Sequence, residues 1–405
     1  MMKTVYEPGR DLAVVGEYDV LVAGGGIAGV SAALAAARNG AKVILVEKQC
    51  MLGGLATAGL VAFYLAICDG MGRQVCFGIA EELLRLSMKN CGKLSTYYDP
   101  EPWVNNGTAE QKKQVRYQVQ FNPQTFALDM ERLLRQEGVR ILYDTTICNV
   151  VREDNRITAV IVENKSGRTA YQVKSVVDAT GDADICARAG VTTENYDAGN
   201  ILAAWSYGFE QGSVKIKTVG AVDDPATAGT EESISDKRFS GLNGEENSQM
   251  LQAAHQIVLT RAIESRKTDD SYEIVTIPTM LQVRMTRRLV GEYTLDEPEM
   301  FKEFPDSVGL ISNWKKRGPV YEIPLRTLYN KDVVNLLCVG RCMSVTDAMW
   351  DISRVIPPCA VTGQAAGTAA AMGQDLTKLS ITDLQKRLSD AGVKLHEKEL
   401  ERLEQ

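Results

Sequence analysis

The sequence predicts an α/β protein: a doubly wound, Rossmann-like parallel sheet built from two chain segments, with an α+β cap or substrate domain inserted between them. Three observations carry this reading. The apolar run Tyr18–Ala23 leads into the glycine turn GGGIAG and a small-residue helical stretch ending at Gly40, and a second apolar run, Lys42–Val46, follows. Strand, turn, helix and strand within about thirty residues make a βαβ unit. Both runs are apolar on both faces, as a buried parallel sheet requires. Similar runs return much later, at Lys174–Ala179 and in NLLCVG at 335–340, after a middle region of different character.

Taken in order, the elements divide the chain at 17–190 for the first part of the nucleotide-binding domain, 191–324 for the cap, and 325–405 for the second part. The cap holds the polar stretch DDPATAGTEESISDKRFSGLNGEEN, a helix over Ser248–Arg266 and another expected over Gln282–Glu292. Beyond NLLCVG, Pro357 and Pro358 precede a small-residue helix, Gly363–Met372, that opens near Pro358. Thr382 and Gln385 have the spacing of a capping box for a last amphipathic helix.

Composition narrows the function. At 405 residues the chain can bury a core that needs no disulfide or metal staple. Forty-five Lys and Arg against 52 Asp and Glu leave a net charge of −7 with no basic block, which argues against nucleic acid and anionic membrane as partners. Apolar stretches such as Gly59–Cys68 fall far short of a membrane span. Nine cysteines without a C-x-x-C pair, and a start without a secretory signal, read as reduced thiols in the cytoplasm. Cys68, Cys76 and Cys359 read as small buried hydrophobes. With only His255 and His396 present, a multi-histidine metal centre and a His-based triad are poor fits, and no metal site is expected.

The motifs point to a dinucleotide. Gly24-x-Gly26-x-x-Gly29 permits a tight turn, backbone approach to a pyrophosphate, and close helix–strand packing, with the helix N-terminus facing the phosphate charge. Glu47 ends the second strand 18 residues past Gly29, where a carboxylate accepts from ribose hydroxyls and repels a 2′-phosphate. Gly53 and Gly54 suit a chain passing beside a long cofactor. Asp178-Ala179-Thr180-Gly181 and Gly340-Arg341 end two further strands, where ligands of doubly wound sheets bind. Of the arginines near these motifs (Arg73, Arg116, Arg284, Arg287, Arg288, Arg341 and Arg354), most are expected at the solvated surface. Arg354 is the exception, because it lies at the base of a helix whose positive end already favours negative charge.

The segments YDVLVAGGGIAGVSAALAAARNGAKVILVEK, LGGLATAGLV, VRYQV, VVDATGDAD, YEIPLRTL, NLLCVGRC and SRVIPPCAVTGQAAGTAAA together resemble the FAD-dependent oxidoreductases of the glutathione reductase-like superfamily. The resemblance implies non-covalent FAD, with the pyrophosphate at Gly24, Gly26 and Gly29 beside Ile27 and Ala28. It implies the adenosine ribose at Glu47 and Lys48, and the ribityl side at Gly53 and Gly54. Adenine would meet backbone groups at Ile147 or Cys148. Ala179, Thr180 and Gly181 would form one further FAD-contacting strand end, Gly340 and Arg341 another, with Gly363, Gln364 and Ala365 at the flavin pyrimidine edge. Met285 departs from the Glu that relatives often carry there, and the cysteine runs of iron–sulfur subunits are absent. The expected reaction is hydride transfer between flavin and a small anionic or polyhydroxylated substrate, held by Arg354 with Arg341 or Arg284. Two alternatives are an NAD-dependent Rossmann dehydrogenase without flavin and a flavoprotein passing electrons to a partner. A homo-oligomer is left open.

Overall fold

Val20–Ala23, the apolar end of strand β1 (Val14–Ala23), have no solvent exposure and lie inside the main sheet. The computed structural model describes residues 3–90, 100–220, 235, 237–373 and 375–401. From β1 the chain turns at Gly24 into α1 (Ile27–Arg38) and returns as β2 (Val43–Val46). Helices α2 (Ile79–Lys89) and α3 (Pro123–Gln136) precede β3 (Arg140–Leu142). A meander follows, β4 (Thr146–Glu153), β5 (Arg156–Asn164) and β6 (Gly167–Asp178), then the short α4 (Asp184–Arg188).

The middle of the chain makes smaller sheets. β7 (Thr193–Asn195) pairs with β11 (Arg287–Leu289), while β8 (Ser206–Glu210) pairs with both β9 (Ser213–Lys217) and β10 (Glu273–Thr276). Helix α5 (Gly244–Arg266) runs beside them. β12 (Ser307–Ser312) and β13 (Val320–Pro324) form a hairpin. The last strand, β14 (Leu336–Cys338), is followed by α6 (Asp347–Ser353), α7 (Ile356–Met372) and α8 (Ile381–Asp390).

The main sheet runs β3-β2-β1-β6-β5-β4, with β14 beside the carboxyl end of β6. β3, β2, β1, β6 and β14 are parallel, and the β1–β6 register brings Ala23 level with Asp178. Alternate residues serve opposite faces. Val20, Val22, Val43 and Leu45 pack under α1, α2, α3 and α7, whereas Leu21, Ala23, Ile44 and Val46 pack with α4 and the meander residues Val160 and Val162. Chain order therefore reverses direction around β1, with the carboxyl ends of β1, β2, β6 and β14 opening at one crevice.

Two expectations are corrected. Residues 282–292 are not helical: Asn200 Oδ1 accepts from the backbone of Arg284 at 2.8 Å and Met285 at 3.0 Å, and Arg287–Leu289 pair as a strand. The donors a helix would use are committed to tertiary partners, which override local propensity. The last helix is capped by Ser380, whose hydroxyl accepts from Asp383 N at 3.2 Å, so Thr382 sits inside the first turn. Much of the polar stretch 223–247 lies outside the described residues. Among the described residues, no helix is long and apolar enough to cross a membrane.

α1 and α7 meet backbone to backbone. A Cβ on Gly363 would stand 2.3 Å from Ala28 O, and one on Gly367 2.1 Å from Ala32 O. Gly367→Ala should lower unfolding free energy by about 1–3 kcal/mol as the helices are forced apart. The check is a shifted urea midpoint at constant m-value. Gly373→Ala, whose Cβ meets nothing within 4 Å, should leave the midpoint in place.

Candidate functional site

The crevice is built from turns that only small residues can make. Gly24 has φ 98°, and a Cβ there would lie 2.6 Å from Ala179 O on the neighbouring strand end. A Cβ on Gly29 would lie 1.9 Å from Gly24 O, so the third glycine closes the turn on itself rather than lining the cleft. Gly26, the N-cap of α1, has open space where its Cβ would be. α1 has no side-chain cap and no acid in its first turn, so its positive end is left to whatever occupies that space. Gly53 (φ 103°) and Gly54 (φ 57°) are pinned against this turn by Gly53 N donating to Gly25 O at 2.8 Å.

Glu47 is 6% exposed and fully engaged with backbone on its near side: Oε2 accepts from Gly25 N at 2.5 Å and Oε1 from Gln49 N at 2.7 Å. Burial pushes its carboxyl above the usual glutamate range, against those hydrogen bonds. Asp178 is fully buried, and its oxygens accept from Thr180 N and Oγ1, Ile185 N and Cys186 N. Asp178, Cys186 and Cys338 bring ligand atoms within 4.8 Å of one another, but these four hydrogen bonds already occupy the carboxylate.

One continuous cleft joins these parts. At the end of β2 it is lined by Glu47, Lys48 and Gln49, with Thr145, Thr146, Ile147 and Arg188 beside them. Its middle is lined by Gly24, Gly26, Ile27, Ala28, Gly53, Gly54 and Ala179–Asp182. Its other end has Leu55, Ala56, Met280, Gly340, Arg341, Arg354, Ile356 and Cys359. An elongated dinucleotide fits this donor set: open space before an uncapped helix end for phosphate, a buried acceptor for ribose, and no bulky side chain between.

Several expected residues are elsewhere. Of Ile147 and Cys148, Ile147 lines the cleft; the Cys148 thiol is directed to Thr146 O and Glu163, and its carbonyl accepts from Arg188. Gly363, Gln364 and Ala365 are off the cleft. Gly363 packs on α1, Gln364 Oε1 accepts from Ile79 N at 2.8 Å, and Ala365 is in the core. The first turn of α7, Ile356–Cys359, reaches the cleft, and helical periodicity turns the next residues inward. Burial pushes the Cys359 thiol up to about 12. Arg284 is buried in the 191–324 region, donating to Gly220 O at 3.1 Å with its guanidinium over Trp205.

Arg341 lines the cleft, but its guanidinium donates to Gly181 O at 2.7 Å, Val283 O at 2.8 Å and Asp182 Oδ1 at 2.8 Å. Burial would raise the Asp182 carboxyl, yet Arg341 and the Thr286 hydroxyl hold it below the usual range. Arg354 also lines the cleft, and Asp351 balances its charge: Nε donates to Oδ1 at 2.8 Å, and Nη2 donates to the same oxygen. Lys315 pairs with the other carboxylate oxygen. The i,i+3 spacing of Asp351 and Arg354 was the available signal for that partner. No pattern in the sequence marked Arg188 or Met280.

The sheet reversal, glycine turn and buried acceptor carboxylate define a dinucleotide-binding protein of the doubly wound class. The FAD dependent oxidoreductase family matches residues 19–202 and 207–388, and the chain belongs to it. It is therefore an FAD-dependent enzyme, and the flavin-free alternative falls. The thioredoxin reductase of Ureaplasma parvum is 38% identical over 71 residues, 18% of this chain and 23% of its own length. The tRNA uridine 5-carboxymethylaminomethyl modification enzyme of Streptococcus pneumoniae is 26% identical over 173 residues, 41% of this chain and 24% of its own. The chain thus spans about a quarter of the length of these curated relatives. A geranylgeranyl bacteriochlorophyll reductase-like protein of Thermoplasma acidophilum superposes over 93% of this chain and 82% of its own, with TM-score 0.46 and 13% identity. The p-nitrophenol 4-monooxygenase of Pseudomonas putida does so over 93% and 84%, with TM-score 0.47 and 12% identity.

With ionised Glu47 as ribose acceptor, FAD affinity should rise as pH climbs through its elevated pKa, and acid should release flavin over that window. Apoprotein stability should run the opposite way, because a buried acid with a raised pKa stabilises the fold most when protonated and less as pH rises. Glu47→Gln should flatten both slopes and weaken FAD by about tenfold. Titrations of flavin release and of the apoprotein melting midpoint would read this; unchanged slopes in the variant would reject Glu47 as the group.

Proposed function

We propose that this FAD-dependent oxidoreductase transfers hydride between its flavin and a small anionic or polyhydroxylated substrate, with anions favoured. The supporting observation is the placement of Arg354: it lines the cleft with its guanidinium held in one plane by Asp351, which Lys315 also contacts. Burial alone would raise the Asp351 carboxyl, and the two cations hold it below the usual range. Asp351 stabilises Arg354 at this positive helix end and fixes its plane, and the guanidinium faces the cleft.

When bound, FAD supplies the two-electron acceptor or donor. The chain's own residues do the rest. Arg354, held through Nε and Nη2, presents a fixed planar donor that can orient a carboxylate or vicinal hydroxyls, a geometry lysine lacks. Arg341, spent on Gly181, Asp182 and Val283, is a positioning residue in this reading, and Arg284, held by Gly220 O and Trp205, is not among the residues that line the cleft. Residues 191–324 act as the cap, whose Met280 closes the cleft over the Leu55–Ala56 segment and excludes water. Thr279 N donates to Ala58 O at 2.9 Å, which supports that placement. The flavin is non-covalent and the protein cytoplasmic.

Arg354→Lys should retain FAD and fold while kcat/KM for the true substrate falls at least about tenfold, about 1.4 kcal/mol of lost transition-state binding. The measurement is anaerobic flavin reduction by candidate hydroxy acids and other small anions. Normal reduction by the variant would end the substrate role, and reduction that needs a second protein would favour the electron-transfer reading.

Leu55 follows Gly54, and neither histidine lines the cleft: His396 bonds Glu322, and His255 is exposed on α5. Acid precipitation should therefore leave a colourless pellet and release FAD, identified by mass, rather than FMN. A yellow pellet surviving denaturing electrophoresis would contradict the non-covalent assignment.

A further inference from the structure

Arg188 closes α4 and stands in the cleft beside Thr146, Ile147 and Ile185. Its guanidinium is held on two sides: Nε donates to Cys148 O at 3.1 Å on β4, and Nη1 to Asp184 O at 3.0 Å on α4. These anchors are neutral carbonyls. The nearest carboxylate, Asp184, is 3.5 Å from Arg188 Nη1 but binds Arg287 at 2.7 Å, so it is the closer partner of another cation. Arg188 thus keeps a flat, pinned guanidinium, with its side chain 32% exposed and Nη2 without a partner among the described residues.

Neither the glycine turn nor the acceptor carboxylate reads a purine. Pyrophosphate and ribose are common to all nucleotides, and the adenine end of the cleft otherwise offers Lys48, Gln49, the threonines and the aliphatic Ile147 and Ile185. A pinned guanidinium plane is suited to the π-face of a base, because its orientation costs no further ordering and its charge is attracted to the electron-rich ring. Given FAD as the cofactor, we propose that Arg188 stacks on the adenine ring and is the side chain through which this cleft recognises the purine. Arg188 is then a binding residue outside the glycine-carboxylate fingerprint, contributed by the helix that follows the ATGD turn.

The test uses the full-length apoprotein and ADP, which carries the adenosine half without the flavin. Isothermal titration of wild type, Arg188→Ala and Arg188→Lys is paired with the melting midpoint of each apoprotein. Both variants should bind ADP about 5- to 20-fold more weakly, with the lysine failing despite its charge, and with melting unchanged. Wild-type affinity in Arg188→Lys would mean that charge on the phosphates, not stacking, is the contribution, and would overturn the proposal. An affinity loss that comes with a melting point lowered by several degrees would make Arg188 a pin between α4 and β4, and equal affinities in all three proteins would remove it from the site. If wild-type apoprotein took up no ADP while binding FMN, the FAD assignment itself would fail instead.

Discussion

The closure of the β1–α1 turn sets the rest of the molecule. A Cβ on Gly29 would collide with Gly24 O, and the space that its missing side chain leaves lets α1 come down onto the sheet with its N-terminus at the crevice. The same closeness lets α7 approach α1 through Gly363 and Gly367, so the second chain segment docks on the first by backbone contact. Because α7 lies so near, its first turn delivers Ile356 and Cys359 to the cleft. A side chain at any of these glycines would push one helix outward and take a wall of the cleft with it.

Charge in and around the cleft is handled by a consistent rule. Buried carboxylates are given donors before they are given ligands: Asp178 takes backbone amides and the Thr180 hydroxyl, Asp182 takes Arg341 and Thr286, and Glu47 takes Gly25 and Gln49. Ionised groups in a low-dielectric site are otherwise too costly to keep. Arg341 extends the rule to tertiary structure, since its three acceptors belong to the ATGD turn and to the segment after Met280. With Arg287 donating to Asp182 O at 2.8 Å and to Asp184 Oδ1 at 2.7 Å, it fastens the inserted region onto the β6 end. The position of Met280 over the cleft depends on that fastening.

Legibility in the sequence tracked the range of the interaction involved. The βαβ unit, its glycines and Glu47 were readable because each depends on neighbours within about thirty residues and on the 2.0 and 3.6 periodicities. The Gln282–Glu292 helix was misread because Asn200, 84 residues from Arg284, takes the donors that a helix would use. The family resemblance puts Gly363, Gln364 and Ala365 at the flavin edge, yet the glycines of this helix also suit helix–helix contact. Which of the two applies depends on the rotation of α7, and its packing on α1 and α2 decides it.

The sequence by itself determined a doubly wound α/β protein and the glycine-carboxylate fingerprint of a dinucleotide, because turns, strand periodicity and backbone clearance are local properties. Its likeness to a known family added the flavin. The tertiary structure alone decided what each arginine is bound to: Arg341 is held by carbonyls and Asp182, and Arg284 by Gly220 O and Trp205, whereas Arg354 lines the cleft on Asp351 and Arg188 lines it anchored on two backbone carbonyls. A guanidinium's role is set by what has already claimed its donors and neutralised its charge, and those partners are brought together only when the chain has folded.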